Sequence, residues 1–569
     1  MALFPTHLAR LALMTAFLLL SAFPAHALIY RVGQAGDAAC THTFSGAINA
    51  ANANPGKDFL LLSTNYGGIA ASISDELEIA GGYASCSAPS PTAGLRHGIE
   101  GNGVNSVLFV DAGDGLTLRQ VDISLGGNAS LLAGGGIWKN GSGLVLIYDS
   151  VIRNNTAQLG GGIAVTGTGG MVLLYRGTVV RNNQATKGGG IYVDEAALRL
   201  DIADVLLHQN SALLGGDRQG GAIYATGTAT RSAEVSTMSL TYDLFEPYPA
   251  LSGVRIQQNS AHDGGGIYAN GFTSVNLRET SLRDNTASRY GGAIYLFGAQ
   301  LQMLRHPTIS GWPIICQGAF GCNQITGNTA AFAGGAISLW NGSNAYVGQA
   351  LISRNIGRDS IIDSFIQSVT SGLTNRLTME SVVLADNQCT ASSGSCGTIR
   401  VSNTNNQSRV ILRHVTMADN RMDGGSVSRA ELQLGAESAA TTQVSVYSSI
   451  IEPRVGNSMA AGNQPNIVLY DCVMAPGPFP PSATRSLQMG LPYRFVYRAG
   501  YDYRPADGDV AIDACDGSAM PGDTMLVAGA DLEPFGSTDD PTVPNRLGSA
   551  STHDLGAFEM RPLLSNGFE

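Results

Sequence analysis

The segment Asn154-Asn-Thr-Ala-Gln-Leu-Gly-Gly-Gly-Ile-Ala-Val165 recurs in degraded form ten times along this chain of 569 residues. Its unit is an apolar residue, two variable positions, Asn, then a small residue, a glycine pair and Ile-aromatic. The Asn of the unit falls at Asn128, Asn155, Asn183, Asn210, Asn259, Asn285, Asn328, Asn355, Asn387 and Asn420, at intervals of 26 to 49 residues. A repeat of that length implies a stacked array, because no single unit can bury its apolar face alone.

Each unit holds two short segments of period two, such as Val-Ile-Arg-Asn (151–154) and Gly-Ile-Tyr-Val (190–193). Alternation of this kind is the signature of strands, with Ile191 and Val193 facing in and Tyr192 facing out. Helical repeats would need long runs at 3.6 spacing, which the glycine pairs interrupt. The 72 glycines suit sharp bends and close backbone approach. The fold class read from this is all-β: a single-stranded, right-handed parallel β-helix with an N-terminal helical cap and an irregular C-terminal cap. Coils spaced by roughly 4.8 Å give a rod of about 50 Å or more. The Asn column has a structural explanation, since stacked amides can hydrogen-bond along a ladder and Asn tolerates the left-handed turn conformation. Ile137, Ile163, Ile191, Ile223, Ile267, Ile294 and Ile337 are expected to form one buried ladder.

Residues 1–27 carry His7 and Arg10, an apolar run Leu11–Phe23 and Ala25-His-Ala27. This pattern reads as a secretory signal cleaved after Ala27. The run is too short to span a membrane, and no later segment qualifies. Eight cysteines in an exported chain point to disulfides. Cys316/Cys322 and Cys389/Cys396 are close enough to staple local loops; Cys40/Cys86 and Cys472/Cys515 would tie the two ends. None has the paired CxxC spacing of a zinc site. Phe44–Asn52 has the pattern of a short amphipathic helix with Thr43 or Ser45 as N-cap, placed to cover the open first coil. The expected organisation is a signal at 1–27, a cap at 28–60, the β-helix at 61–470 and an acidic, Pro-rich segment at 471–569.

That last segment carries the charge. Residues 500–569 hold thirteen acidic residues and three arginines, a net of −10 in a chain whose net is −11. The coils are therefore nearly neutral, and they offer no basic face to a nucleic acid. Asp507, Asp509, Asp513, Asp516, Asp523 and Asp531 are hard oxygen ligands that could take Ca²⁺, although their spacing is not that of an EF-hand and a solvated acidic surface explains them as well.

Gly221-Ala-Ile-Tyr224 with Leu282-Arg-Asp-Asn285, and Gly292-Ala-Ile-Tyr295 with Ile325-Thr-Gly-Asn328, resemble the GGAI and FxxN repeats of the polymorphic outer-membrane protein family. The resemblance spans residues 125–425, with Leu, Ile, Val or Met where the family has Phe. Thr43–Cys86, including Ile79-Ala-Gly-Gly-Tyr83, is similar to the N-terminal region of bacterial right-handed parallel β-helix repeat proteins. Asp509-Val-Ala-Ile-Asp-Ala514, Asp531-Leu-Glu533 and Asp554-Leu-Gly-Ala-Phe-Glu559 resemble their C-terminal segment, and Ser565–Glu569 a terminal tag of exported proteobacterial proteins. The resemblance implies a surface-associated or extracellular protein of a bacterium. The chain leaves no room for the membrane barrel that ends an autotransporter.

Two activities compete. A β-helix lyase needs Lys or Arg as a base beside acidic residues, and a hydrolase needs paired carboxylates at a set separation. The three lysines, Lys57, Lys139 and Lys187, sit in no charged constellation. Asp539-Asp540 lies outside the coils, and His262-Asp263 and Arg283-Asp284 fall on turns or outward positions. Binding has more support. Trp138, Tyr192, Tyr224, Tyr268 and Tyr295 occupy the outward position of successive coils and could present a stripe to sugar rings, or simply stabilise the sheet. Two insertions, around 229–253 and 300–322, interrupt the period and leave one flank, with Tyr242, Phe245, Tyr248 and Trp312 as apolar anchors. The expectation is an exported, non-catalytic protein that binds glycan or a cell surface between those insertions, with a polysaccharide lyase or hydrolase as the alternative and a structural spacer as a further one.

Overall fold

A computed structural model describes residues 27–476, except 35, 112, 195–198, 229–232, 238–252, 305–322, 368–371, 392–393, 404–405, 424–427, 437–440 and 463–465. It also describes short strands at 487–488, 495–497, 502–505, 515–516 and 552–553. The described strands stack into sheets of 23, 13 and 8 members, all parallel, with two small antiparallel pairs near the C-terminus. This is a parallel β-helix.

One coil shows how the sequence is used. Ile267–Gly271 lies in the second sheet, Ser274–Arg278 and Thr280–Arg283 in the first, and Thr286–Tyr290 in the third; Ile294 then starts the next coil. The first sheet therefore contributes two strands per coil, bent apart at Glu279. The bends need left-handed residues, and Gly271, Glu279, Asp284 and Gly291 have φ of 63°, 45°, 52° and 67°. A Cβ at Gly291 would also strike Ile294 and Tyr295, so two independent reasons exclude other residues there.

The seven expected isoleucines form one continuous ladder, each paired in register with the next and each fully buried. The ladder runs on through Ile362, Ile399 and Leu432. The Asn column is present with nine members, Asn155 to Asn420. Each Nδ2 up to Asn387 donates to the Oδ1 of the next Asn at 2.9–3.1 Å and also to a carbonyl of the preceding coil, for example Asn183 to Asn210 and to Ile152. Each Oδ1 from Asn183 onward accepts the backbone N–H of the Asn before it as well, as Asn210 does from Asn183. All four hydrogen-bonding positions of a buried amide are thereby satisfied, which is what burial requires.

Asn128 is not a member. Ile123 pairs with Ile152, which puts Gly126 opposite Asn155, and it is the Gly126 N–H that Asn155 Oδ1 accepts at 2.9 Å. Asn128 instead caps a surface turn through Ser130 N. Nor do the ladder amides occupy the left-handed region. The residue before each of them does: Asn154, Asn182, Gln209, Gln258, Asp284, Gly327, Arg354, Asp386 and Asp419 have φ between 52° and 68°.

At the N-terminus, strand β1 (Ile29–Val32) precedes helix α1 (Phe44–Ala53), and β1 pairs with β2 (Asp58–Leu62). The first sheet thus begins ahead of the helix. Thr43 is the N-cap, accepting Gly46 N at 3.2 Å, and Phe44, Ala47, Ile48 and Ala51 turn the apolar face of α1 onto the end of the core.

Cys389–Cys396, expected from its short spacing, and Cys40–Cys86, expected to tie the N-terminal end, are disulfides, and no described cysteine is free. Cys472 is also disulfide-bonded. Of its expected partner Cys515, only the backbone is described, paired with His553 in one of the small antiparallel ribbons. The expected Cys472–Cys515 bridge thus has one half-cystine in the coils, and the Cys515 side chain lies outside the described residues. Cys316 and Cys322 lie outside them entirely. No described helix is long and apolar enough to cross a membrane.

Candidate functional site

The tyrosine column exists, but its faces are not open. Tyr192, Tyr224, Tyr268 and Tyr295 point away from the central core and stack at 5.3, 5.1 and 5.0 Å, with neighbouring planes within 14°. They are only 3–8 % exposed. The cause is the glycine corner ahead of each tyrosine, which folds the chain back sharply. Leu159, Lys187, Gln219, Asp263, Tyr290 and Ala333, the residues just before the glycines, bridge one another from coil to coil and stand beside the column. The rings fill that concave corner and spend their faces on one another, with the Lys187 ammonium 5.3 Å from the Tyr224 ring centre. Burial raises the hydroxyl pKa of Tyr268 and Tyr295 above the ordinary tyrosine value. Trp138 belongs to the same register but is cut off from the stack by Ala164; it packs edge-on to Phe109 and donates to Thr166 Oγ1 at 2.7 Å. Of the two readings of the stripe, burial of the rings favours stabilisation of the sheet over an open stacking platform.

The two insertions do leave one flank. The described ends Thr237 and Val254, and likewise Leu304 and Asn323, all lie at the bend of the first sheet, with the Arg278–Thr280 corner between them. That bend is one strand removed from the tyrosines, which lie on the second sheet. The described ends of the insertions are therefore not beside the column. Tyr242, Phe245, Tyr248 and Trp312 lie outside the described residues.

A different aromatic strip emerges two positions after the tyrosines. Asn270, Phe297, Trp340 and Phe365 are register partners on the outer face of the second sheet. Phe297 is 37 % exposed, and Trp340 and Phe365 are half-buried. Ser338 occupies the tyrosine position in the Trp340 coil and leaves a gap that the indole leans into. Its ring lies 4.8 Å from Tyr290, 4.7 Å from Phe365 and 5.7 Å from Tyr295. Phe332, 36 % exposed, packs 5.8 Å from Tyr290 and beneath the Arg358 guanidinium at 4.4 Å. The indole Nε1 of Trp340 is buried and has no hydrogen-bond acceptor among the described residues.

Charges line the same edge in pairs. Arg358 donates to Asp359 at 2.9 Å, Arg400 to Asp359 at 2.9 Å and to Asp363 at 2.8 Å, and Arg289 pairs with Asp263. Burial works against the Arg400 charge, yet Asp363 and Asp359 outweigh it and raise its pKa. Burial raises the Asp263 carboxyl, opposed by the hydrogen bond from Arg289. The signal for this strip was in the sequence, since Phe297, Trp340 and Phe365 follow ladder isoleucines by three residues.

The other clusters are structural. His262 accepts from Arg218 at 3.2 Å, and burial followed by the field of Arg218 lowers its pKa. Arg283 donates to Ser281 at 2.7 Å, while Asp284 sits on a left-handed turn. Lys139 faces inward, fully buried, and donates to the carbonyls of Asp111 and Asp114, where burial lowers its pKa. Lys57 pairs with Glu78 at 3.1 Å. Asp37, Cys40 and Cys86 cluster at metal-ligand separations, but the two sulfurs are bonded to each other and are not thiolates. Of the acidic residues considered for Ca²⁺, all but Asp516 lie outside the described residues, and of Asp516 only the backbone pairing with Thr552 is described. No protein-family model matches the chain, and no curated protein matches it either.

Proposed function

We propose that this chain is exported and acts as a non-catalytic β-helical binding protein, directed at a glycan or another component of a cell surface. The observation that carries the reading is the strip Phe297–Trp340–Phe365, with Phe332 and Tyr290 beside it. It offers part-exposed rings next to the arginine–aspartate pairs. Sugar rings present C–H faces for aromatic side chains and hydroxyls for polar groups of this kind. The secretory pattern of residues 1–27 and the disulfides Cys40–Cys86 and Cys389–Cys396 favour an oxidising compartment. The GGAI-like repeats make the surface proteins of bacteria the first group to compare. The test is a panel of glycans presented to the mature protein, scored for retention and for release of reducing or unsaturated ends. Retention of intact glycan supports the reading, and turnover replaces it with the lyase or hydrolase.

A further inference from the structure

Asp58, the first residue of β2, is fully buried, yet no cation pairs with it among the described residues. Its Oδ1 accepts the Leu28 backbone N–H at 2.7 Å and the Asn54 amide at 2.8 Å; its Oδ2 has no hydrogen-bond partner. Two further deeply buried carboxylates, Asp263 and Asp363, each hold an arginine. A buried carboxylate with an orphaned oxygen and no countercharge is costly and calls for a partner. Leu28 is the residue that follows Ala25-His-Ala27.

We propose that hydrolysis of the Ala27–Leu28 bond completes this site: the new α-ammonium of Leu28 is the countercharge of Asp58 and fastens β1 to the first coil. The inference rests on the export reading above. Cleavage consumes one water; Ala27 leaves as a carboxylate, and the Leu28 amine takes up the proton. The enzyme implied is a protease that prefers small residues at the first and third positions before the cut. Ala27 is exposed and Leu28 is 43 % exposed, so the bond is accessible. The position of the nitrogen is fixed, because Leu28 O accepts Phe59 N at 2.9 Å and Ile29 pairs with Phe59. In the uncut chain this nitrogen has one proton to donate. An ammonium has three, enough to reach both carboxylate oxygens. The Tyr30 hydroxyl is raised first by burial, then by the charge of Asp58 and by hydrogen bonding toward it, as befits a site with negative charge to be balanced. The first strand is thus anchored fully only after its leader has gone.

The test compares mature protein with its α-amine free and with that amine acetylated, which restores the single N–H of the uncut chain. Hydrogen exchange at Tyr30–Val32 is the readout, in the natural chain and in Asp58→Asn. Acetylation is expected to speed exchange at least about tenfold with Asp58 present and to change nothing in Asp58→Asn. No acetylation effect, or an equal effect in both, overturns the proposal. Should Asp58→Asn not fold, the contrast in the natural chain decides alone. Mass spectrometry of the exported protein should find Leu28 first, and another first residue overturns the cleavage position. A protein retained unprocessed in the cytosol sinks the export reading instead, while a chain released at Leu28 in vitro still reads the ammonium site separately.

Discussion

Asn420 ends the amide ladder on Glu431, donating from Nδ2 to Oε2 at 3.2 Å where every earlier member donates to another Asn. Thr398 Oγ1 donates to the same oxygen at 2.5 Å, and Oε1 has no partner. Glu431 is fully buried, and desolvation pushes its pKa up to about 7, against the two hydrogen bonds and with some help from Glu452. A folded-state pKa above the unfolded value means a contribution that is complete below the unfolded pKa and is lost as pH rises through 7. Glu431→Gln should therefore match the natural chain near pH 4.5 and exceed it by roughly 1–3 kcal/mol at pH 8. Urea melts at the two pH values check this, and a gap that shrinks with rising pH refutes the assignment.

Within the ladder, Asn259→Ala removes five side-chain hydrogen bonds at once and leaves the buried Asn210 amide without its ladder acceptor. Its cost should be about 2–4 kcal/mol. Asn128→Ala touches only a surface turn and should stay near or below about 1 kcal/mol. Similar costs for the two, measured by denaturant unfolding, would contradict the reassignment of the column's first member.

Sequence parity places Tyr224 outward, on which basis Tyr224→Ala should cost clearly less than Ile223→Ala. The structure reverses that expectation. Tyr224 is 3 % exposed and sandwiched between Tyr192 and Tyr268, so both substitutions should cost about 2–5 kcal/mol. A Tyr224→Ala cost under about 1 kcal/mol would mean that the corner is open.

How legible these features were depends on their range. The Ile ladder and the Asn column follow from the period alone, because stacking puts equivalent positions over one another. Asn128 matches the motif, whereas its coil keeps register through Ile123 and places Gly126 in the column. The side on which Tyr268 lies was legible from alternation with Ile267. That the side is concave was not, since it depends on a glycine corner bringing Asp263 and Tyr290 back beside the strand. The tight pairing of Arg400 with Asp359 and Asp363, 41 and 37 residues away, is likewise invisible until the coils are stacked.

The strip on the second sheet makes a prediction that separates it from the tyrosine column. If glycan is held there, contact falls on Phe297, Trp340 and Phe332, whose rings reach the surface. Trp340→Ala should weaken retention on the best glycan of the panel about tenfold, the loss of one stacking ring. Phe297→Ala, at the exposed edge, should weaken it less. Tyr268→Ala should lower stability, because its ring is sandwiched between Tyr224 and Tyr295, without changing the affinity of whatever remains folded. Circular dichroism of each variant separates the two effects. Affinity unchanged in Trp340→Ala and Phe297→Ala, with the fold intact, would remove the strip as the binding surface.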